Sequence, residues 1–219
     1  MDNAEPVPLE HVDVLEKVWP HHPVLSENKP RKVRVVFDCA SKFKGESLND
    51  KAYQGPDLNS KLMHVMTRFR REPYATLADI EAIYNQVKVP VYDRDAPRFL
   101  WCDKQDYIRH LRMTSHMFGG VWCSSAAIYA LHRICQDKDV SSEVKNAIFT
   151  SFYVDDCLVS VNSVAKAEKL VSDLEQCLGV AGFRLTEFAS NEEEVLFDLP
   201  RMILQRRSGL LKIIAKARH

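Results

Sequence analysis

Residues Ser151–Val161 read SFYVDDCLVSV, so two adjacent aspartates stand between two runs of strand-forming residues. The β-branched and aromatic residues on both sides favour two strands, and the short interruption favours a hairpin whose tip is Asp155–Asp156. Many such tips only satisfy the backbone of a turn. Here the flanking strands are apolar, and two like charges at their junction repel each other unless a cation lies between them. The stretch therefore favours a cation-binding hairpin over a purely structural turn.

A third carboxylate from a different strand would complete such a site. Asp79 follows the apolar run Tyr74–Ala78 where the chain turns, so it would lie at a strand end as well. Mg²⁺ takes one or two carboxylates and leaves its other positions to water and phosphate oxygens, and Mn²⁺ prefers similar ligands. Two strand ends presenting Asp79 beside Asp155 are predicted to hold two such ions about 3.5–4 Å apart, the geometry of in-line phosphoryl transfer.

The composition is typical of a soluble globular protein. Of the 219 residues, 46% are hydrophobic and 27% are charged. The acidic start MDNAEPVPLEHVD does not resemble a signal peptide, and no apolar run is long enough to cross a bilayer. We therefore expect an intracellular, cytoplasmic protein with no membrane partner. The six cysteines are scattered without zinc-like spacing, which favours reduced thiols.

The formal net charge of zero hides a strong charge pattern. Lys29–Arg71 carries eleven Lys and Arg against four Asp and Glu, and Arg201–His219 carries six basic residues and no acid. Glu143–Asp198 carries eleven acids against four bases. Two basic arms around an acidic centre fit contact with a polyanion outside and a cation inside, although solvated surface charge gives the same counts.

Periodicity and turn residues predict an α+β fold with short, mostly antiparallel strands. RFLWC and IRHLRM are expected to pair as a hairpin across DKQD, and QVKVPVY alternates strictly in the manner of a strand. The predicted helices cover residues 59–71, 124–137 and 163–179. The predicted strands cover residues 32–38, 74–80, 86–92, 98–102, 108–113, 149–154 and 157–162.

Several stretches together resemble a known family. LADIEAIYNQVKV (Leu77–Val89), FYVDDCLVS (Phe152–Ser160) and GFRLTEFASN (Gly182–Asn191) look like successive palm motifs of a reverse transcriptase. More narrowly, RVVFDCASK (Arg34–Lys42) and DRDAPRFLW (Asp93–Trp101) resemble the polymerase segment of BEL/Pao-type LTR retrotransposons. The resemblance runs from about Pro20 to about Pro200 in collinear order.

The resemblance implies a right-hand polymerase made of fingers and palm, with an antiparallel palm sheet backed by helices and a thumb that is incomplete or absent. It implies an RNA-directed DNA polymerase, a nucleotidyltransferase that uses two Mg²⁺ ions. The partners would be an RNA or DNA template with its primer and deoxynucleoside triphosphates; no oligomeric state is implied. The alternative is a truncated or decayed retroelement fragment that binds nucleic acid without catalysis.

The same resemblance suggests domain boundaries. Residues 1–30 would be an irregular lead-in, 31–78 the fingers with the start of the palm, and 79–200 the palm with a fingers insertion near 86–115. Residues 201–219 would be a basic C-terminal remnant.

The resemblance also implies roles for individual residues. Asp79, Asp155 and Asp156 match the metal-binding triad, in which Asp79 and Asp155 bind most directly and Asp156 plays a lesser part. Ile80 would lend its backbone carbonyl to a metal. Arg34 matches the fingers arginine that contacts the incoming triphosphate, because a guanidinium pairs bidentately with phosphate oxygens.

Other matched positions would surround the nucleotide. Lys32 would assist Arg34. Tyr84 lies where the family carries an aromatic gate against the sugar 2′-hydroxyl, and Gln86 would make a structural or template-side contact. Gly119 and Gly120 match the glycine turn that lets backbone approach the nucleotide and template.

Two positions depart from the family pattern. Glu187 replaces a lysine that is thought to protonate the departing pyrophosphate, and a carboxylate there lacks the proton and repels phosphates. Ser124 replaces a proline, which removes a fixed φ from the turn without removing a chemical group.

Overall fold

The structure is a computed structural model that describes residues 3–12, 17–26, 29–137 and 140–197, without the side chains of residues 26, 29–32 and 137. This part of the chain forms nine strands and seven α-helices. The strands are β1 (Ala4–Pro6), β2 (His21–Ser26), β3 (Lys29–Phe37), β4 (Tyr74–Ile80), β5 (Arg98–Cys102), β6 (Ile108–Met113), β7 (Phe152–Tyr153), β8 (Asp156–Val161) and β9 (Leu185–Ser190). The helices are α1 (Leu9–Val12), α2 (Leu48–Lys51), α3 (Leu62–Phe69), α4 (Ile83–Gln86), α5 (Cys123–Asp137), α6 (Ser142–Thr150) and α7 (Val164–Val180). Two 3₁₀ segments cover Val91–Asp93 and Glu193–Leu196.

The chain divides into two compact units. The first unit comprises Met1–Pro56 and Tyr84–Ala127, and the second comprises Asp57–Ile83 and Ile128–His219. The mixed helices and antiparallel sheets confirm the predicted α+β class. Across the described residues, no helix combines the length and the apolar character that a membrane span needs.

The second unit is built on a four-stranded antiparallel sheet in the order β7-β8-β4-β9. On one face, Val65 and Phe69 of α3 pack against a buried cluster that includes Leu77 and Leu158. On α7, residues at the helical period are buried, and this helix contacts β4, β8 and β9. The buried α7 residues are Ala167, Val171, Leu174 and Leu178.

The α3-covered face of this sheet also carries Asp79 and Asp156. Because side chains alternate along a strand, Leu77 shares a face with Asp79, and Leu158 shares a face with Asp156. Helix α3 therefore packs over the middle of this face, and the aspartates occupy the end of the strands beyond that contact.

The first unit contains a three-stranded sheet, β1-β6-β5, and a two-stranded sheet, β2-β3. The predicted hairpin of RFLWC and IRHLRM is confirmed by the pairing of β5 with β6. A hydrophobic core joins these elements; its buried members are Trp19, Phe37, Cys39, Leu48, Phe99, Met113 and Met117.

An ionic network lies beside this core. The Arg98 side chain is only 2% exposed, and its Nη2 lies 2.9 Å from Oδ1 of Asp95. Nη1 of Arg98 donates to the His11 carbonyl at 2.7 Å. Arg112 binds both Asp95 and Glu5, at 2.8 Å each. Because Glu5 belongs to β1 and His11 to α1, these charges attach the start of the chain to the β5–β6 hairpin.

Two predictions about local structure in the first unit are wrong. The described part of residues 1–30 is not irregular, since it contains β1, α1 and β2. β1 pairs with β6 and β2 pairs with β3, and the β1–β6 pairing joins distant parts of the chain that local patterns do not connect. Residues 86–92 do not form a strand, because Pro90 has no N–H for a ladder and instead precedes the 3₁₀ turn Val91–Asp93.

Candidate functional site

Strands β4 and β8 bring Asp79 and Asp156 side by side. The two residues are direct partners in the antiparallel register. The Ile80 N–H donates to the Asp155 carbonyl oxygen at 2.8 Å, so the neighbouring Asp79–Asp156 pair is of the non-hydrogen-bonded type. Both side chains of such a pair project from one face, with residue separations of roughly 4.5–5.5 Å. Like charges directly opposite each other destabilise a sheet, so this register favours a cation between them.

The hairpin tip lies one residue earlier than the prediction. Tyr153 and Asp156 are register partners, so the two-residue turn consists of Val154 and Asp155 rather than Asp155 and Asp156. Val154 has a φ of 57°, a left-handed conformation that costs a β-branched residue on the order of 1–3 kcal/mol. The turn therefore holds Asp155 at the tip, while Asp156 lies within the sheet.

The three carboxylates fit a hard divalent cation in donor chemistry and in backbone placement. Asp79, Asp155 and Asp156 are half-buried at the same end of the β4–β8 pair. In the part of the chain that the structure describes, no three His, Cys, Asp or Glu side chains already converge in a way that could hold a metal ion. Metal binding would therefore need these carboxylates to turn toward a common point.

The adjacent thiol does not compete as a ligand. Cys157 is buried, and burial, reinforced by the negative charge of Asp156, raises the pKa of its thiol. A thiol must lose its proton to bind a metal. The site therefore offers oxygen ligands, which Mg²⁺ and Mn²⁺ prefer.

Strand β9 flanks Asp79 on its other side and carries a β-bulge. Thr186 is the register partner of Asp79, and the register shifts between Asp79 and Leu77. Glu187 has a φ of 54°, a left-handed conformation found at bulge positions. The Thr186 hydroxyl donates to the Asp79 carbonyl oxygen at 3.3 Å. Glu187, where the resemblance expects lysine, thus lies one residue from the register partner of Asp79.

The first unit contains a separate cluster of predicted site residues. The guanidinium of Arg34 lies 4.9 Å from the centroid of the Phe118 ring, within the range of a cation–π contact. Tyr84 packs edge-on against the same ring, with centroids 4.7 Å apart. Arg34 is exposed, while Tyr84 and Phe118 are half-buried. Phe118 therefore holds the arginine and the tyrosine in one group.

The glycine turn after Phe118 lies against strand β3. The Phe37 N–H donates to the Phe118 carbonyl oxygen at 3.1 Å. Gly119 has a φ of 116°, and a Cβ added there would lie 2.0 Å from the Phe37 carbonyl oxygen. A Cβ at Gly120 would lie 2.8 Å from the ring of Trp122. The turn can approach β3 this closely only because Gly119 lacks a side chain, and Gly120 leaves room for the Trp122 ring.

We expect Gly119→Ala to lower the free energy of unfolding by about 1–3 kcal/mol more than Gly45→Ala, because only the first change forces an overpacked contact. Gly45 also has a positive φ, of 85°, but nothing lies within 4 Å of its added Cβ. Urea denaturation of the two variants separates the close approach from the cost of the backbone conformation. Equal losses would show that the contact with Phe37 is unimportant.

The remaining predicted residues have simpler surroundings. Ser124 is the second residue of α5, in the first turn, where a proline would remove no intrahelical hydrogen bond. Gln86 is half-buried and is the last residue of α4. Lys32 belongs to β3, but its side chain lies outside the described residues. The roles assigned to these three residues stay predictions.

Two features of the site were missed by sequence reasoning. Thr186 was not singled out, because it meets Asp79 through a contact between residues 107 positions apart. Val154 was assigned to a strand, because β-branched residues favour strands and give no local signal for a left-handed turn. Thr186 lies within the motif Gly182–Asn191, but the sequence does not reveal the register in which that motif pairs with β4.

Comparisons with solved structures find the same fold. A foamy viral protease-reverse transcriptase in complex with double-stranded DNA is similar with a TM-score of 0.65 and 16% identity, over 84% of this chain and 28% of that chain. The foamy viral enzyme in complex with an RNA/DNA hybrid gives a TM-score of 0.58 and 16% identity, over 77% of this chain and 20% of that chain. The prototype foamy virus protease-reverse transcriptase is similar with a TM-score of 0.60 and 15% identity, over 83% of this chain and 21% of that chain.

Sequence comparisons add no relative: no model of a protein family matches the chain, and no curated protein matches it. The chain spans less than a third of the length of these three structures. At such low identity the likeness concerns the fold alone. The α+β units and the antiparallel sheet that carries Asp79 and Asp156 therefore show that this chain has a reverse transcriptase-like fingers-and-palm fold.

Proposed function

We propose that this chain is an RNA-directed DNA polymerase domain of a BEL/Pao-type LTR retrotransposon. It would transfer nucleotides from deoxynucleoside triphosphates onto the 3′-hydroxyl of a primer paired with an RNA or DNA template. The observation that carries the proposal is the register that places Asp79 opposite Asp156, beside the turn that presents Asp155.

In the second unit, Asp79, Asp155 and Asp156 would hold two Mg²⁺ ions, with the Ile80 carbonyl as a further ligand. Bound Mg²⁺ would favour ionisation of the primer hydroxyl and neutralise charge on the departing pyrophosphate. The chain positions these ligands through its backbone. The Ile80 N–H binds the Asp155 carbonyl, and the Thr186 hydroxyl binds the Asp79 carbonyl.

In the first unit, Arg34 would pair with the triphosphate of the incoming nucleotide, assisted by Lys32. The guanidinium is intrinsically planar, which suits bidentate binding of phosphate oxygens, and its contact with the Phe118 ring helps to position it. Tyr84 would exclude a 2′-hydroxyl sterically. Its ring is supported from one side by Phe118, so it has a fixed surface to offer the sugar. Gln86 and the Gly119–Gly120 turn would contact the template side.

The test is primer extension by the full chain on RNA and DNA templates, with Mg²⁺ or Mn²⁺. We expect incorporation of deoxynucleotides that is abolished by a chelator and restored by added metal. A purified chain that binds a template–primer and incorporates nothing under either metal would contradict the proposal.

Glu187 favours a second candidate, a chain of this fold that binds nucleic acid without extending a primer. A carboxylate where the family has a lysine supplies no proton to a leaving pyrophosphate and repels its charge. Binding without catalysis would still depend on phosphate contacts. The logarithm of the association constant for a template–primer should therefore fall linearly with the logarithm of the salt concentration. A salt titration of binding, run beside the extension assay, distinguishes the two candidates.

We expect Glu187→Lys to raise primer extension by at least about tenfold, because general acids contribute about 10²–10⁴-fold when well placed. The matched control is Glu187→Gln, which removes the repelling charge without supplying a proton. Both variants keep a side chain at the left-handed bulge position, so they share the same backbone cost. Single-nucleotide incorporation rates measure the effect. A Lys variant no faster than the Gln variant would remove the proton-donor role from this position.

A further inference from the structure

A cavity of about 470 Å³ opens in the second unit at the opposite end of β8 from Asp156. Its walls are the end of α3 with the loop after it, α6, the last residues of β8 and the first turns of α7. Ser160, on this wall, is four residues beyond Asp156, which corresponds to roughly 13 Å along a strand. The cavity is therefore separate from the three carboxylates.

The charged residues of the cavity wall carry a net positive charge. Four are basic and two are acidic; they are Arg68, Arg71, Lys166, Lys169, Glu72 and Glu143. Of the two acids, Glu72 is paired, with Nε of Arg71 at 3.3 Å. The Lys169 ammonium donates a hydrogen bond to Asp173, which lies outside the cavity wall, and this bond and the charge of Glu143 raise the pKa of Lys169. In the described part of the chain, Lys166 makes no ion pair, so its ammonium is available to a ligand.

The cavity also borders an unpartnered strand edge. β7 begins at Phe152, and just before it the Leu158 N–H donates to the Ser151 carbonyl at 2.8 Å. Backbone groups alternate between the two sides of an antiparallel strand, so the N–H and C=O of Ser160 also point away from β4. They do so where, among the described residues, β8 has no strand partner on that side. The Ser160 hydroxyl donates to the Arg68 carbonyl at 3.0 Å, which fixes this corner.

The uncharged part of the lining selects among anions. Asn146, Asn162 and Thr150 supply amide and hydroxyl groups that can both donate and accept hydrogen bonds. Leu158 and Ala147 give a small buried apolar floor. No aromatic side chain is among the described lining residues, so the wall offers hydrogen bonds for hydroxyls rather than a stacking surface for a base.

We propose that this cavity binds a phosphomonoester carried on a hydroxylated body, the chemistry of a ribose 5-phosphate. Its volume lies within the range of small-molecule sites, about 300–1,000 Å³. Arg68 and Arg71 would pair with the phosphate, since guanidinium groups bind its oxygens bidentately, and Lys166 would add a point charge. The asparagine amides and Ser160 backbone would bind the sugar hydroxyls. The ligand could be a free mononucleotide or the 5′-phosphorylated end of a strand.

The test titrates the full chain with AMP, ribose 5-phosphate, inorganic phosphate and ribose, followed by amide NMR shifts and calorimetry. We expect AMP and ribose 5-phosphate to shift the Ser160 and Asn162 amides and to bind more tightly than phosphate or ribose alone. Equal binding of inorganic phosphate, or of ribose, would overturn the proposal. Comparing AMP with 5′-phosphorylated and 5′-hydroxyl oligonucleotides then identifies the source, since a strand-end site prefers the phosphorylated oligonucleotide to AMP.

The variants Arg71→Gln and Lys166→Gln, combined in one chain, should weaken AMP binding at least tenfold. Both side chains are exposed, so the double variant should fold, and its thermal midpoint provides the check. The matched control is Lys145→Gln, which removes a positive charge from α6 outside the cavity lining. Equal loss of affinity in the control and the double variant would attribute binding to general charge and contradict a built site.

Discussion

Replacing Asp79 or Asp155 by asparagine is expected to lower primer extension by at least about a thousandfold, equivalent to about 4 kcal/mol of transition-state stabilisation. Asparagine keeps the size of the side chain and one oxygen, but it removes the charge that attracts a divalent cation. The structure supports this expectation, because the β4–β8 register places Asp79 beside the turn that presents Asp155. Asp156→Asn should reduce extension less, since the resemblance gives Asp156 a lesser part.

The same variants should lose metal affinity independently of activity. Free and bound Mn²⁺ can be quantified by electron paramagnetic resonance with the full chain, and Asp79→Asn and Asp155→Asn should each weaken binding at least tenfold. Asp173→Asn, a carboxylate on the surface of α7, is the control and should change neither readout. Extension that persists in Asp155→Asn would point to a contaminating polymerase, and unchanged Mn²⁺ binding in both variants would exclude the proposed ion site.

The strands that carry Asp79 and Asp156 were predicted closely because their signals are local. Two residues between two strand-forming runs leave little freedom for the position of a hairpin turn. The observed turn lies one residue earlier than the predicted one. The strand ending at Asp79 was predicted with its bounds at Tyr74 and Ile80. Asp79 was predicted to lie beside Asp155, because a third carboxylate was needed; the antiparallel register instead pairs Asp79 with Asp156, and the Ile80 N–H binds the Asp155 carbonyl.

Backbone strain could not be predicted from the same residues. Val154 and Glu187 both adopt left-handed φ values, although neither is glycine, asparagine or aspartate, the residues that usually signal this conformation. The tight turn between β7 and β8 imposes the first conformation, and the bulge in the pairing of β9 with β4 imposes the second. A local propensity therefore favours strand at each position and misses the turn and the bulge.

Helix α6 shows a second reason why part of the fold could not be predicted from the sequence. The stretch FTSFYV was interpreted as one strand, but Phe149 and Thr150 end α6, and only Phe152 and Tyr153 form β7. Aromatic and β-branched residues favour strands in isolation. In this chain Ser141 caps the helix through a hydrogen bond from the Val144 N–H, and Val144, Ala147 and Ile148 form its buried stripe. The Ser141 cap and the buried stripe together stabilise the helix more than the strand propensity of its last turn destabilises it.

Asp95→Asn is expected to destabilise the first unit by about 3–5 kcal/mol, the usual cost of leaving a buried charge without its partner. The Asp95 carboxylate lies 2.9 Å from Arg98 and 2.8 Å from Arg112. Nε of Arg98 has no hydrogen-bond partner in the described part of the chain, so this buried guanidinium relies on few contacts. Urea denaturation of the full chain at pH 7 measures the loss, and Asp173→Asn should cost far less because its ion pair is exposed.

The pH dependence of this difference gives a second, independent readout. Burial alone would raise the pKa of Asp95, but hydrogen bonds from Arg112 and Arg98 outweigh it and hold the pKa below its ordinary value. An unfolded aspartate titrates near 3.9. A pKa lowered by folding contributes stability that is complete above about pH 4 and is lost as the pH falls through the folded pKa. The gap between the wild-type chain and Asp95→Asn should therefore shrink as the pH falls below about pH 4. A gap that is unchanged at pH 3, or absent at pH 7, would show that the Arg98–Asp95 pair contributes nothing through its charge.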